Sequence, residues 1–163
     1  MSDCREPKPG DVIWADRISQ GLPYNHCGVY EGGGYVIHYA APDGSEIRQE
    51  NAVVHRTTLA KFKDNCDLKV IDFPQGFSAS ETLRRAQSRV GEKSYNFFTN
   101  NCDHFATWCK TEEHRSLQVD DAKKIIVGLG GTVGEIACAI HDIAQDFKVP
   151  ALDSMDRKEK RVI

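Results

Sequence analysis

The chain has 163 residues, a hydrophobic share of 40% and a formal net charge of -3. That is the length of one domain able to bury an ordinary core, and the charge balance, with no basic stripe interleaved by aromatics, argues against a nucleic-acid surface. Six cysteines stand at 4, 27, 66, 102, 109 and 138 without a framework spacing, and no N-terminal apolar stretch reads as a secretory signal, so reduced thiols in the cytoplasm are expected rather than disulfides.

Residues 1–9 are polar and proline-containing and read as a tail. Residues 10–14 predict a first strand, and residues 17–25, with Gly21 and Pro23, a loop. A hairpin follows, with strands at 27–30 and 35–39 about the turn Gly32-Gly33-Gly34. Further strands are expected at 47–54 and 68–73, with a single helical turn at 58–63. Ser78 and Glu81 have the spacing of a capping box. The helix they open presents Leu83, Ala86 and Val90 on one face and stops at Gly91. The next helix begins near Cys102 and runs to about residue 111. Asn100 or Asn101 is its N-cap, and Phe105, Trp108 and Cys109 recur at helical spacing.

Beyond residue 118 the pattern changes. An apolar stripe over 125–147 carries Leu129, Val133, Ile136, Ile140 and Phe147, but Gly128, Gly130, Gly131 and Gly134 interrupt it. Each interior glycine costs about 1 kcal/mol relative to alanine, and Glu135 cuts the run below the ~20 residues that span a bilayer. A helix packed on the domain or lying on a membrane surface is expected. Residues 150–163 read as a basic, disordered tail, either a solvated charge run or one with a weak attraction to anionic lipid.

Chemistry gathers at Cys102. A thiol in a first helical turn is biased toward thiolate by the helix dipole. It then needs an imidazole to take its proton and a third group to orient that imidazole. His26 and His38 flank the hairpin, and the turn length decides whether they share a face. A three-residue loop, Glu31-Gly32-Gly33, sets His26 opposite His38 and collects Cys27, Val29, Tyr35 and Ile37 on the other face. An odd-length loop, or a bulge with the same effect, is therefore predicted. His26 becomes the base, His38 the orienting member, and the Cys102 backbone N–H an oxyanion donor. A zinc site from Cys102, His104, Cys109 and His114 fails on geometry, because Cys102 and Cys109 lie two turns apart. His55, His114 and His141 have no partner in sequence, and His104 projects from a different helix face than Cys102.

The blocks Asn25-His26-Cys27-Gly28-Val29-Tyr30, Gly34-Tyr35-Val36-Ile37-His38-Tyr39 and Asn101-Cys102-Asp103-His104-Phe105, in that order, resemble the signatures of the lecithin:retinol acyltransferase-like family. That family includes small phospholipase A/acyltransferases and belongs to the circularly permuted NlpC/P60 group of papain-like thiol enzymes. The match covers roughly residues 10–118. The resemblance implies an α+β fold, with an antiparallel sheet of about four to five strands packed against helices and the nucleophile at a helix N-terminus. It implies Cys102 as nucleophile, His26 as general base and His38 as third member, with a site tyrosine at Tyr24 and neither metal nor cofactor. The implied reaction takes an acyl group from a lipid ester, typically a glycerophospholipid, through a cysteine thioester to water or to an amine or alcohol. The same kinship also permits a cysteine peptidase or amidase, and a non-catalytic membrane- or protein-binding module is a third reading. Residues 10–118 are the expected catalytic domain, residues 119–149 a glycine-interrupted amphipathic segment, and residues 125–147 with the basic tail the expected peripheral membrane contact of a cytoplasmic protein.

Overall fold

Period-2 alternation divides the apolar residues of this chain between two faces of a single sheet, and helices cover both. The computed structural model describes residues 2–3, 5–19, 22–42, 51–96, 99–117, 119–120 and 124. Its strands are β1 (Ser2–Asp3), β2 (Val12–Ser19), β3 (Leu22–Gly32), β4 (Tyr35–Ala40), β5 (Val53–Thr58) and β6 (Leu68–Ile71). Its helices are α1 (Leu59–Lys63), α2 (Ala79–Ser88) and α3 (Cys102–Thr111). The strands form one antiparallel sheet in the order β1-β6-β2-β3-β4-β5. This is the expected α+β arrangement, with five long strands and the two-residue β1 at one edge.

On one face Val12, Cys27, Val29, Ile37, Tyr39 and Val54 pack against Ala86 of α2 and Phe105, Ala106 and Cys109 of α3. On the other, Ile13, Ala15, Val36 and Val70 pack around Phe62 of α1. Cover on both sides leaves β4 buried from Val36 through Ala40, His38 included, so burial along it is continuous instead of alternating. Thr58 caps α1 by accepting from the Lys61 N–H at 3.3 Å. That short helix presents Phe62, which is fully buried. Burial of such a ring contributes roughly 2–3 kcal/mol.

Several boundaries differ from the sequence reading. Residues 1–9 are not simply a tail, because Ser2 and Asp3 pair with Ile71 and Val70 and Arg5 forms an ion pair with Asp11. Residues 17–19 and 22–25 are strand and not the expected loop: β2 and β3 continue to the pairs Ile18↔Pro23 and Ser19↔Leu22, and residues 20–21 lie outside those described. Among the described residues β3 has no second partner strand at Pro23, so the missing proline N–H costs no ladder bond there. The strand expected at 47–54 is Val53–Thr58, and residues 43–50 lie outside those described. Helix α2 starts at its predicted cap, Ser78 accepting from the Glu81 N–H at 3.3 Å. The Glu81 carboxylate is bonded to Arg84. Val90, expected on the apolar face, follows the end of α2 and is 51% exposed. The segments 125–147 and 150–163 lie outside the described residues.

The hairpin of β3 and β4 sets up the site. Gly32 pairs with Tyr35 and Tyr30 with Val36, a bulge that leaves Glu31 as the extra residue. Beyond the bulge Gly28 stands opposite His38, so His26 lies two residues further along the same face. The two histidines therefore share a face as predicted, but diagonally instead of directly opposed. A Cβ on Gly28 would lie 2.7 Å from Val36 Cγ1, 2.9 Å from Phe62 Cε2 and 3.1 Å from His38 Cβ. Gly28→Ala should therefore destabilise the protein by about 1–3 kcal/mol, read as a lower urea midpoint at unchanged m-value. An unchanged midpoint would contradict this packing.

Candidate active site

The start of α3 is fixed from two directions. Asn101 is its N-cap, the side-chain oxygen accepting from the N–H groups of Asp103 and His104 at 2.9 Å each. His104 turns back on Asn101 to complete a capping box, so its ring belongs to the helix start. The preceding Asn100 is held separately. Its side chain donates to Glu92 at 3.0 Å and to the Ser94 carbonyl at 2.7 Å, and accepts from Arg89 at 3.0 Å. Asn100 and Asn96 also exchange backbone hydrogen bonds of 2.8 and 3.1 Å. Of the two predicted caps, Asn101 performs the capping and Asn100 anchors the approach.

Asp103, beside the cysteine, is buried and accepts from Ser116 at 2.8 Å and Thr107 at 3.4 Å. It ties the first turn of α3 to the chain that follows the helix. At the other end of α3 the Arg85 guanidinium donates to the Trp108 carbonyl at 3.0 and 3.2 Å and lies 3.8 Å over the Trp108 ring. That contact joins α2 to α3.

Cys102 is the first residue of α3 and is 7% exposed. Its thiol engages the Cys27 thiol and the His26 ring. Hydrogen bonding with Cys27, then hydrogen bonding with and charge on His26, hold Cys102 well below the usual thiol range against the opposing effect of burial. The helix dipole acts in the same direction. Cys27 moves the other way, pushed well above the ordinary value by burial and then by its hydrogen bond to Cys102. Within the pair, Cys102 is the more acidic thiol and Cys27 the harder one to ionise. Cys109, on the same helix, moves up instead: burial, the largest cause, pushes its thiol up to about 12 against the charges of Arg89 and Arg85.

His26 and His38 are both buried, 3% and 6% exposed. His26 Nε2 lies 2.7 Å from His38 Nδ1, the rings edge-on at 83°. Phe62 packs against both, at 5.0 and 5.4 Å between ring centroids, and the Arg17 side chain donates to the Phe62 carbonyl. Burial, followed by the charges of His26, His55 and Arg17, pushes the His38 imidazolium well below its usual range. His38 is thus a neutral ring at physiological pH, able to orient a neighbour by hydrogen bonding without charge of its own.

The other residues singled out in the sequence are dispersed. The backbone of Tyr24 pairs with Arg17, while its side chain lies outside the described residues. Tyr35 is half-buried, and the Arg56 guanidinium lies 3.4 Å over its ring; Cys27, Val29 and Ile37 alone of the expected patch enter the core facing α3. Among the described residues no three or more His, Cys, Asp or Glu side chains converge as a metal cluster. The residue missed is His55. It stands directly opposite His38 across β4 and β5, its Nε2 3.2 Å from His38 Nε2 and its Nδ1 3.0 Å from the Val53 carbonyl.

The neutral state of His38 makes stability depend on pH. The unfolded chain takes up a proton near 6.5, whereas the folded chain does so only at lower pH. The unfolded state therefore binds more protons in this window, and stability rises with pH through it. It is fully present above about 6.5 and declines as pH falls toward the folded value. Urea midpoints at pH 7.5 and 5.5 should show this decline, and His38→Asn should flatten it. An equal slope in the variant would show that His38 is not the group responsible.

Over residues 5–115 the chain matches the family model described as lecithin retinol acyltransferase. It is 32% identical over 152 residues to phospholipase A and acyltransferase 4 of Homo sapiens, across 85% of this chain and 90% of that protein. Against phospholipase A and acyltransferase 3 of Mus musculus it is 34% identical over 147 residues, across 80% and 86%. Against phospholipase A and acyltransferase 1 of Rattus norvegicus the figures are 29% over 160 residues, across 86% and 89%. The family match takes in both histidine strands and the cysteine helix, and the chain belongs to the lecithin retinol acyltransferase family.

Proposed function

We propose that the protein is a cysteine-dependent phospholipase A and acyltransferase that moves an acyl group from a glycerophospholipid through a thioester on Cys102. The observation that carries this reading is the 2.7 Å contact of His26 with His38, beside a Cys102 that Cys27 and His26 hold well below the usual thiol range at the capped start of α3. Membership of the family, and relatives named phospholipase A and acyltransferase, point to the substrate class.

In the first half-reaction the Cys102 sulfur attacks the ester carbonyl, its proton having passed to His26. The negative charge that develops on the carbonyl oxygen faces the N-terminal N–H groups of α3, that of Cys102 foremost, where the helix dipole favours it. The C–O bond breaks, the lysophospholipid oxygen takes the proton from His26, and the acyl group remains as a thioester. In the second half-reaction His26 removes a proton from water, or from an amine or alcohol. That oxygen or nitrogen attacks the thioester, and Cys102 leaves as thiolate. Water yields a fatty acid; an amine or alcohol yields an amide or ester. Each step balances with thiol, imidazole and backbone N–H groups, so the scheme requires no metal. His38 holds the His26 ring in place throughout. The same reading puts the protein in the cytoplasm, peripheral to membranes. Free thiols at Cys27, Cys66, Cys102 and Cys109 suit a reducing compartment.

Intact-mass and peptide mass spectrometry after mixing with phosphatidylcholine should reveal an acyl adduct on Cys102. Cys102→Ala should abolish adduct and turnover together, and His26→Ala should slow turnover by roughly 10²–10⁴-fold, the usual contribution of a positioned general base. Turnover of a peptide amide with no lipid adduct would replace this proposal with a cysteine amidase. Full lipid turnover by Cys102→Ala would remove the thiol mechanism altogether.

A further inference from the structure

The histidine pair does not end at His38. His55, paired directly across from it, extends the contact to the Val53 carbonyl. A carbonyl oxygen can only accept, and a neutral imidazole carries one donor nitrogen and one acceptor nitrogen. Those two rules determine every proton in the series. His55 must place its hydrogen on Nδ1, facing the Val53 carbonyl 3.0 Å away, and so offers a lone pair at Nε2. His38, 3.2 Å distant, then donates from Nε2 and keeps a lone pair on Nδ1. His26 donates its Nε2 hydrogen into that lone pair across 2.7 Å. His26 then keeps its lone pair on Nδ1, and His26 is a group that acts on the thiol of Cys102.

We infer that His55 is a positioning residue of this site, fixing the tautomer of His38 and, through it, that of His26 so that a lone pair faces Cys102. The inference rests on the roles just proposed for Cys102 and His26. Without His55, the His38 Nε2 hydrogen loses its acceptor and the ring is free to carry its proton on Nδ1. That hydrogen would then point at His26 Nε2, and His26 would have to present an N–H to Cys102. In that state His26 cannot take the thiol proton. His38 is buried, 6% exposed, and Phe62 is an apolar wall on both inner rings. Arg17, the cation that acts on His38 from β2, can donate but not accept, so it cannot replace His55.

The test uses the full chain with histidine nitrogens labelled, comparing wild type, His55→Ala, His55→Gln and Cys102→Ala. Long-range proton–nitrogen NMR at pH 7.5 should show His38 of the wild type with a lone pair on Nδ1 and a proton on Nε2. In His55→Ala that pattern should collapse to a mixture of tautomers. Alkylation of Cys102 by iodoacetamide should slow about tenfold, and kcat on phosphatidylcholine should fall by a similar factor at unchanged KM. These losses are well short of the ~10⁴-fold seen when the third member of a serine-protease triad enforces the wrong tautomer. In His55→Gln the amide oxygen can accept from His38, and most of the tautomer signature and both rates should return. The inference is overturned if wild-type His38 carries its proton on Nδ1, or if His55→Ala leaves tautomer and alkylation unchanged. It is equally overturned if rates fall while the tautomer stays fixed, since His55 would then be merely structural. NMR and alkylation need no lipid, so they decide the role of His55 separately from the lipid assay. Failure of Cys102→Ala to abolish turnover refutes the thiol mechanism instead.

Discussion

Asn101 accepts the N–H groups of Asp103 and His104, and that pair of hydrogen bonds determines where α3 begins. A cap lost to alanine costs about 1 kcal/mol, a modest energy, but its positional effect is larger. Moving the start of the helix by one residue would rotate the sulfur by about 100° around the axis. The surrounding contacts serve the same end. Arg89, Glu92 and Asn100 hold the approach to the cap, and Asp103 holds the first turn to Ser116. Neighbouring Asn100 and His104 are both occupied in building the platform for the thiol.

The two sides of β3 and β4 divide the work between them. One face supplies the large apolar cluster on which α3 docks, so it sets the height of the helix above the sheet. The other carries Phe62, from a helix of only five residues, which packs against the rings of His26 and His38. Gly28 is the compromise between the two. Standing opposite His38, it removes the side chain that would otherwise fill the space where that ring, Val36 and Phe62 meet. Close-packed interiors respond to a single methyl group, so a small residue here is a condition of the histidine pair, not an accident of turn chemistry.

The sequence carried the local features well. The cap residues, the hairpin, the single turn of α1 and the shared face of His26 and His38 follow from side-chain chemistry within a few positions. The exact register did not, because three successive glycines accommodate a bulge as readily as a plain turn, and each of them has positive φ. Gly21 and Pro23 were read as loop signals. Pro23 instead lies within β3, paired with Ile18 of β2, where an open edge tolerates proline, and Gly21 lies outside the described residues. His55 was hidden for a different reason. Its strand is joined to β4 by a long connection, so no turn length could be counted to bring it opposite His38. Tertiary pairing alone reveals that a half-buried histidine with no neighbour in sequence completes a row of three.

That row has a consequence for when the protein becomes reactive. His26, His38 and His55 come from strands that are sequence neighbours within the sheet, and contacts between nearby segments close at lower entropic cost than remote ones. The sulfur belongs to a helix much further along the chain. Until α3 docks, Cys102 has neither the helix dipole directed onto it by a fixed cap nor the company of Cys27 and His26. It is then an ordinary thiol, as in any unfolded polypeptide. Acidity at this cysteine is a property of the finished tertiary structure, so chains still emerging from synthesis, or trapped part-folded, carry no activated thiol at this position.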